Sequence, residues 1–256
     1  MAEAKKKKKI VAAETGKTAK TGSGKATGKR KEAAPVGNAT GLRIGAVALW
    51  LVALALEVVA VLIFNGNITW TFMPTLTQII IALVLDLVCV IIGSQLWKKA
   101  NHIKPASEKN KLLFWLWNNM GLIVCAVAFI PFVIIALTNK EADKKTKAIA
   151  TVVAVIALMI GGLASYDFNP VSEEQQQAAI TAISEDVFWS PFGKVYHTHD
   201  DCQSLNQTDT LTYGTVEQAI AANRTRLCAF CAKKDDISGV VTDKNVDEVE
   251  LEAGQE

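Results

Sequence analysis

The chain has 256 residues, half of them hydrophobic, with 27 Lys and Arg against 25 Asp and Glu. The hydrophobic residues come in blocks rather than amphipathic patterns, which argues against the one or two soluble domains that the length alone suggests. The net charge of +2 hides a basic head, with 12 Lys and Arg against three Glu over residues 1–43, and an acidic tail, with eight Asp and Glu against one Lys over residues 235–256.

The head opens on five lysines, Lys5 to Lys9, but no apolar run of roughly 7–15 residues follows, as a secretory signal requires. No cleavable signal is read. Low hydrophobicity with Gly, Thr and Lys predicts a disordered tail over residues 1–43. Its lysines suit anionic lipid, at about 1 kcal/mol per Lys near a charged surface. They suit RNA or an acidic partner equally, or simply fix topology.

Four apolar blocks follow, at residues 44–64, 73–97, 112–137 and 148–165. About 20 apolar residues span a bilayer, and in lipid each must be helical to satisfy its own backbone. The fold class expected is therefore an α-helical integral membrane protein with four transmembrane helices over 44–165. Glu57 is the single charge of the first block and Asp86 of the second; the third carries Asn118, Asn119 and Pro131. A buried acid costs about 2.5–3.5 kcal/mol on insertion scales, so Glu57 and Asp86 are candidate sites on a proton or cation path. The plainer reading is interhelical hydrogen bonding with one acid protonated. Cys89 and Cys125 read as small packing residues. Trp97, Trp115 and Trp117 flank the second loop and Trp70 lies in the first, as in an interfacial aromatic belt.

Lys and Arg set the orientation. The basic head and the second loop, with five Lys over residues 98–111, favour the cytoplasm. The third loop, with four Lys and two acids over residues 138–147, conflicts with strict alternation but is outweighed. Four spans place both termini in the cytoplasm, giving a multi-pass protein of the cell membrane. A re-entrant third block would instead turn the C-terminal domain outward.

Residues 166–186 read as a helical linker, opened by a capping box at Ser172 and Gln175 and serving as a spacer or a packing helix. Residues 187–234 read as a small α+β zinc-binding domain. Phe188-Trp189 and Val195-Tyr196 are short β-prone runs around a Ser190-Pro191-Phe192-Gly193 turn. Thr215 and Gln218 cap a second short helix. Cys228-Ala229-Phe230-Cys231 lets two thiolates grip one metal from a tight turn. Cys202, 26 positions before Cys228, and either His197 or His199 complete a three-Cys, one-His set. That set makes a closed tetrahedral zinc site, structural because no position is left for water or substrate. About 48 residues are few for a self-sufficient core, and a metal commonly compensates. A Cys202 disulfide competes if the domain faces outward. The acidic stretch 235–256 reads as a second disordered tail.

The order Trp189, Gly193, Lys194-Val195-Tyr196-His197, Cys202-x-x-Leu205, Thr215-x-x-Gln218-Ala219, Cys228-x-x-Cys231 resembles the small zinc domain of the Ada-type DNA-repair regulators. It is closer still to the Tyr-His…Cys…Cys-x-x-Cys modules appended to secreted thermonuclease-like and bacterial envelope proteins. The resemblance covers about a fifth of the chain. It implies His197, Cys202, Cys228 and Cys231 as the ligands. Four residues separate His197 from Cys202 where the related modules usually have three, which keeps His199 in play. A His stands near the place of the methyl-accepting Cys, so methyl transfer is not implied.

Five basic against four acidic residues over 187–234 make a poor footprint for phosphate, so nucleic-acid binding is disfavoured. No nucleophile with its base, phosphate loop or open metal site is evident, and no enzyme is expected. The function expected is a non-enzymatic bacterial-type membrane protein whose zinc module is an interaction or sensing head. The alternatives are a small transporter or channel using Glu57 and Asp86, or a nucleic-acid-binding membrane protein.

Overall fold

The computed structural model describes residues 8–13 and 37–251, which divide into two compact units. One unit, Ala39–Ala100 with Lys109–Phe168, is helical. It holds α1 (Ala39–Phe64), the greater part of α2 (Thr75–Ile103), α3 (Lys111–Asn118), α4 (Met120–Thr138) and α5 (Lys144–Ser165). Among the described residues α1, α2, α4 and α5 are long and apolar enough to cross a membrane. At about 1.5 Å per residue the 19-residue α4 is roughly 28 Å long and the 26-residue α1 roughly 39 Å.

The expected third block, residues 112–137, is not one regular helix. Asn119, at φ −105° and ψ 22°, separates α3 from α4. The Asn118 and Asn119 side-chain amides turn back onto the Phe114 and Trp115 carbonyls, each at 3.0 Å. Backbone bonding nonetheless continues through the break, from Asn119 N–H to Trp115 O at 3.0 Å and from Ile123 N–H to Asn119 O at 3.1 Å. The chain bends there and does not reverse. At one end of the bundle Asn139 donates to Asn65 Oδ1 at 3.0 Å, setting the loop after α4 beside the loop after α1. At the other end Ser165 donates to Ser94 at 2.9 Å and Gln95 to the Ala164 carbonyl at 2.8 Å. Successive long helices therefore run up, down, up and down.

The bundle is built inside out relative to a soluble one. Its buried stripe on α1 runs Ala46, Trp50, Ala53, Glu57, Ala60, Phe64, and on α5 Ala150, Ala154, Ala157, Gly161, Ser165. Steps of three and four keep these residues on one face, and small residues let helix backbones approach closely. Gly161 illustrates the fit: a Cβ there would lie 2.8 Å from Cys125 Sγ and 3.0 Å from Leu87 Cδ1. Leu51, Val58, Val84, Ile92, Ile134, Ile156 and Met159 point outward and are exposed. The aromatic belt needs one correction. Trp97 is 6% exposed, packs on Trp50 and Trp117 with ring centroids 5.3 and 5.1 Å away, and donates to the Trp117 carbonyl. The Arg43 guanidinium lies over Trp97 and Trp117. Only Trp70 and Trp115 of the expected belt are exposed.

The second unit takes Asn101–Glu108, Asn169–Glu256 and the described N-terminal residues. Its sheet has the order β1-β4-β2, where β1 is Lys9–Ala12, β2 Val187–Trp189 and β4 Thr210–Gly214. β1 lies parallel to β4, pairing Lys9 with Thr210 and Ala12 with Tyr213, and β2 lies antiparallel on the other side. β3 (Val195–Tyr196) pairs in parallel with β5 (Arg226–Leu227). Three helices complete the unit: α6 (Glu173–Ala182), α7 (Val216–Ala221) and α8 (Ala229–Lys234). Both expected capping boxes form, Ser172 with Gln175 and Thr215 with Gln218.

Three expected boundaries change. The head expected to be disordered contributes β1, and Ile10, 6% exposed, enters the domain core; residues 1–7 and 14–36 lie outside the described residues. The linker is part of the domain, because Val171, Ala179 and Ile183 join that core. The acidic tail also folds back over residues 235–251. The Leu227 amide donates to the Val241 carbonyl at 2.9 Å, and Gln203 donates to the Glu250 carbonyl at 3.0 Å.

Candidate metal centre

Four buried side chains from three separate stretches converge in the second unit: His197, Cys202, Cys228 and Cys231. Their ligand atoms all lie within 4.8 Å of one another. His197 follows β3 and is held by a reciprocal backbone pair with Phe188, both bonds 2.7 Å. Cys202 opens a one-turn 3-10 helix, Gln203–Leu205, in which the Leu205 amide returns to the Cys202 carbonyl. Cys228 stands at the N-cap of α8, fixed by its amide donating to the Tyr196 carbonyl at 2.9 Å. Cys231 lies three residues on, in the first turn, so that both thiols face the same point. The helix start needs another cap, since no Cys side chain supplies one, and Asp243 Oδ1 accepts from the Ala229 amide at 2.8 Å.

Cys202 Sγ is 3.9 Å from Cys228 Sγ, and Cys231 Sγ is 3.8 Å from His197 Nδ1. A disulfide requires about 2.05 Å, and the five cysteines are all free thiols. Metal–sulphur bonds of about 2.3 Å in a tetrahedron hold sulphurs about 3.8 Å apart, so the observed edges match a cluster that could hold one metal ion. Ser204 Oγ lies 3.2 Å from Cys202 Sγ and 3.3 Å from Cys228 Sγ, where its hydroxyl can donate to a thiolate. The sulphurs compete for protons. Hydrogen bonds from the Cys228 and Cys231 thiols push Cys202 well below the ordinary thiol range. The same contacts, with burial, push Cys231 up. Three buried thiols and an imidazole this close together could hold one metal ion.

The two histidines separate. A bend at Thr198 lies between His197 and His199. His199 Nε2 instead meets Asp235 Oδ1 at 2.7 Å, and Thr198 donates to the other oxygen of the same carboxylate at 2.5 Å. His199 therefore stays out of the cluster as an alternative ligand. Asp235, Asp243 and Ser204 support the site and were not singled out from the sequence.

Glu57 and Asp86 are brought together inside the helical unit, 5% and 0% exposed, with their carboxyls against each other. Cys125 is buried beside Gly161 and donates weakly to the Leu158 carbonyl, and Cys89 is half-buried; both sit as packing residues. Comparison with protein-family models, curated proteins and solved structures gives no match.

Proposed function

We propose that the chain is a non-enzymatic, multi-pass membrane protein that carries a structural-zinc interaction or sensing head. The observation that carries this reading is the His197, Cys202, Cys228, Cys231 cluster, whose four ligand atoms lie within 4.8 Å of one another in a buried position, the number a closed tetrahedral shell needs. Zinc is the metal that best suits three thiolates and an imidazole, because its filled d shell imposes no competing geometry. A filled shell leaves no position for water or substrate, so the ion serves the fold. The Tyr196-His197…Cys202…Cys228-x-x-Cys231 order gives the same ligands through its resemblance to Ada-like modules.

The membrane reading is supported by four long helices whose apolar side chains face outward. Pairing of β1 with β4 requires residues 9–12 and 210–213 to share one side of the bilayer, which agrees with an even number of crossings. The basic head and three free thiols in the domain favour the cytoplasmic side. The lysine-rich head then meets the anionic inner leaflet. With the acidic tail folded onto the domain, a protein partner fits this head better than nucleic acid.

The test uses the full chain in detergent micelles. Metal analysis by mass spectrometry should find one zinc per chain, and Cys228→Ser should abolish it. A chain that purifies with no metal, or with iron in a stable cluster, would overturn the reading.

A further inference from the structure

The helical unit contains a second place where acidic groups meet. Glu57 lies on the buried stripe of α1, in step with Ala53 and Ala60. Asp86 is completely buried on α2. Their carboxyls lie against each other, and none of the four oxygens accepts a hydrogen bond of good geometry, the Phe132 backbone amide being the one donor nearby. Two ionised carboxylates are acceptors only, so neither can satisfy the other.

Among the described residues no basic side chain offsets them. Arg43 on α1 is 14 residues from Glu57 and Lys98 on α2 is 12 from Asp86, about 20 Å away along each helix. The other titratable groups near enough to Asp86 to feel its charge are the Cys89 thiol of α2 and the Cys125 thiol of α4, the latter bonded weakly to the Leu158 carbonyl. From α4 the Phe132 backbone amide lies beside Glu57, one residue past Pro131. α5 presents Ala150, Ala154 and Ala157 to the same core and no charge. The surroundings are otherwise apolar: Ala53, Leu83, Phe129 and Phe132 pack in this cluster. A metal cation needs six or so oxygens in such a place, more than the two carboxyls provide. A proton needs only the two carboxyls, since a protonated acid becomes a donor to its neighbour.

We propose that Glu57 and Asp86 form an intramembrane proton-binding site, in which a proton taken from water supplies the hydrogen bond that both carboxyls otherwise lack. The site joins α1 to α2, which meet also where Trp50 packs on Gly93 and Trp97. Loss of the proton sets two like charges face to face in an apolar core, so the pair and the packing of α1 on α2 change together.

This inference rests on the membrane reading, and the experiment separates the two. The full chain is reconstituted in phosphatidylcholine liposomes, and insertion is scored by resistance to carbonate extraction. Failure to insert overturns the membrane reading and the inference with it. In inserted protein at neutral pH, infrared spectroscopy should find a carboxylic-acid carbonyl band that shifts in heavy water. Glu57→Gln with Asp86→Asn should lack it. Each single variant should keep an acid band at a shifted frequency, because the remaining acid then bonds an amide. Monodisperse elution of each variant guards against misfolding. Absence of the band in inserted wild type, or its persistence in the double variant, overturns the proposal. So does an unchanged frequency in both single variants. Loss of the band on adding sodium or calcium chloride at constant pH assigns the site to a metal cation and overturns it also.

Discussion

Removing the metal should unfold the C-terminal unit while leaving the helical unit intact. Residues 8–13 and 169–251 make a folded unit of about 90 residues, which at 0.05–0.15 kcal/mol per residue carries about 5–13 kcal/mol in total. A structural zinc of this type contributes about 10–16 kcal/mol, as much as the whole. The apolar core offers little reserve, because Cys202, Cys228 and Cys231 are themselves members of it and sit between β3, β5 and α8. Without the ion, three buried thiols and an imidazole replace four metal bonds with weak contacts near 3.8–3.9 Å. The assay is amide hydrogen exchange read by mass spectrometry, on the full chain in micelles, before and after a zinc chelator. The amides of His197, Leu205, Cys228 and Ala232 each close a bond beside a ligand. They should exchange at least a hundredfold faster after chelation, whereas amides of α4 and α5 should stay protected. Continued protection of those four amides in protein proven free of metal would falsify the structural role of the ion.

Three further outcomes follow from packing and ligand choice. His197→Ala should abolish bound zinc by metal analysis, whereas His199→Ala should leave one ion per chain and only loosen the Thr198–Asp235 corner; equal zinc loss in both would return His199 to the ligand shell. Ile10→Ala, which trims a side chain 6% exposed, should lower the stability of the C-terminal unit by about 2–5 kcal/mol in denaturant unfolding; an unchanged midpoint would mean that β1 is dispensable. Gly161→Ala should cost about 1–3 kcal/mol in the helical unit, since its Cβ would lie 2.8 Å from Cys125 Sγ; Cys125→Ala in the same chain should recover part of that loss.

The long helices and the ligand set were legible because each is written in consecutive or short-range residues. Hydropathy alone marks α1, α2 and α5, and Cys228-x-x-Cys231 announces a metal grip. What was hidden depends on partners far along the chain. Lys9 to Ala12 reads as polar tail because four residues carry little signal and the β4 edge that receives them lies some 200 positions away. The tail from Asp235 reads as a charge run, although Ile237, Val240 and Val246 recur through it and pack on the core. Its acids are used individually, Asp243 on the start of α8 and Asp235 on His199. His199 itself was ambiguous because the spacing from His197 to Cys202 is one residue longer than in the related modules, and the bend at Thr198 that parts the two histidines leaves no mark in the sequence. The third block hid its break because Asn118 and Asn119 bond their own helix and leave the hydropathy profile intact. Glu57 did carry a signal of its place: it is in phase with Ala46, Ala53 and Ala60, so it had to face the bundle.

The two units face one electrostatic problem with different resources. In each, acidic groups are buried close together, and on the two proposals made above a cation, a metal ion in one and a proton in the other, makes the arrangement tolerable. The metal cluster brings four ligands from β3, a 3-10 turn and α8 to one point, enough to replace the whole hydration shell of a divalent ion. The carboxyl pair brings two groups, one from α1 and one from α2, into an apolar core. That number suits the smallest cation, which needs one donor bond and one acceptor. Ligand count therefore separates the roles: a four-ligand site holds its ion as part of the fold, and a two-ligand site exchanges its proton with water. Adding chelator should act on the first and leave the second untouched, and changing pH within the range where the zinc stays bound should act on the second alone.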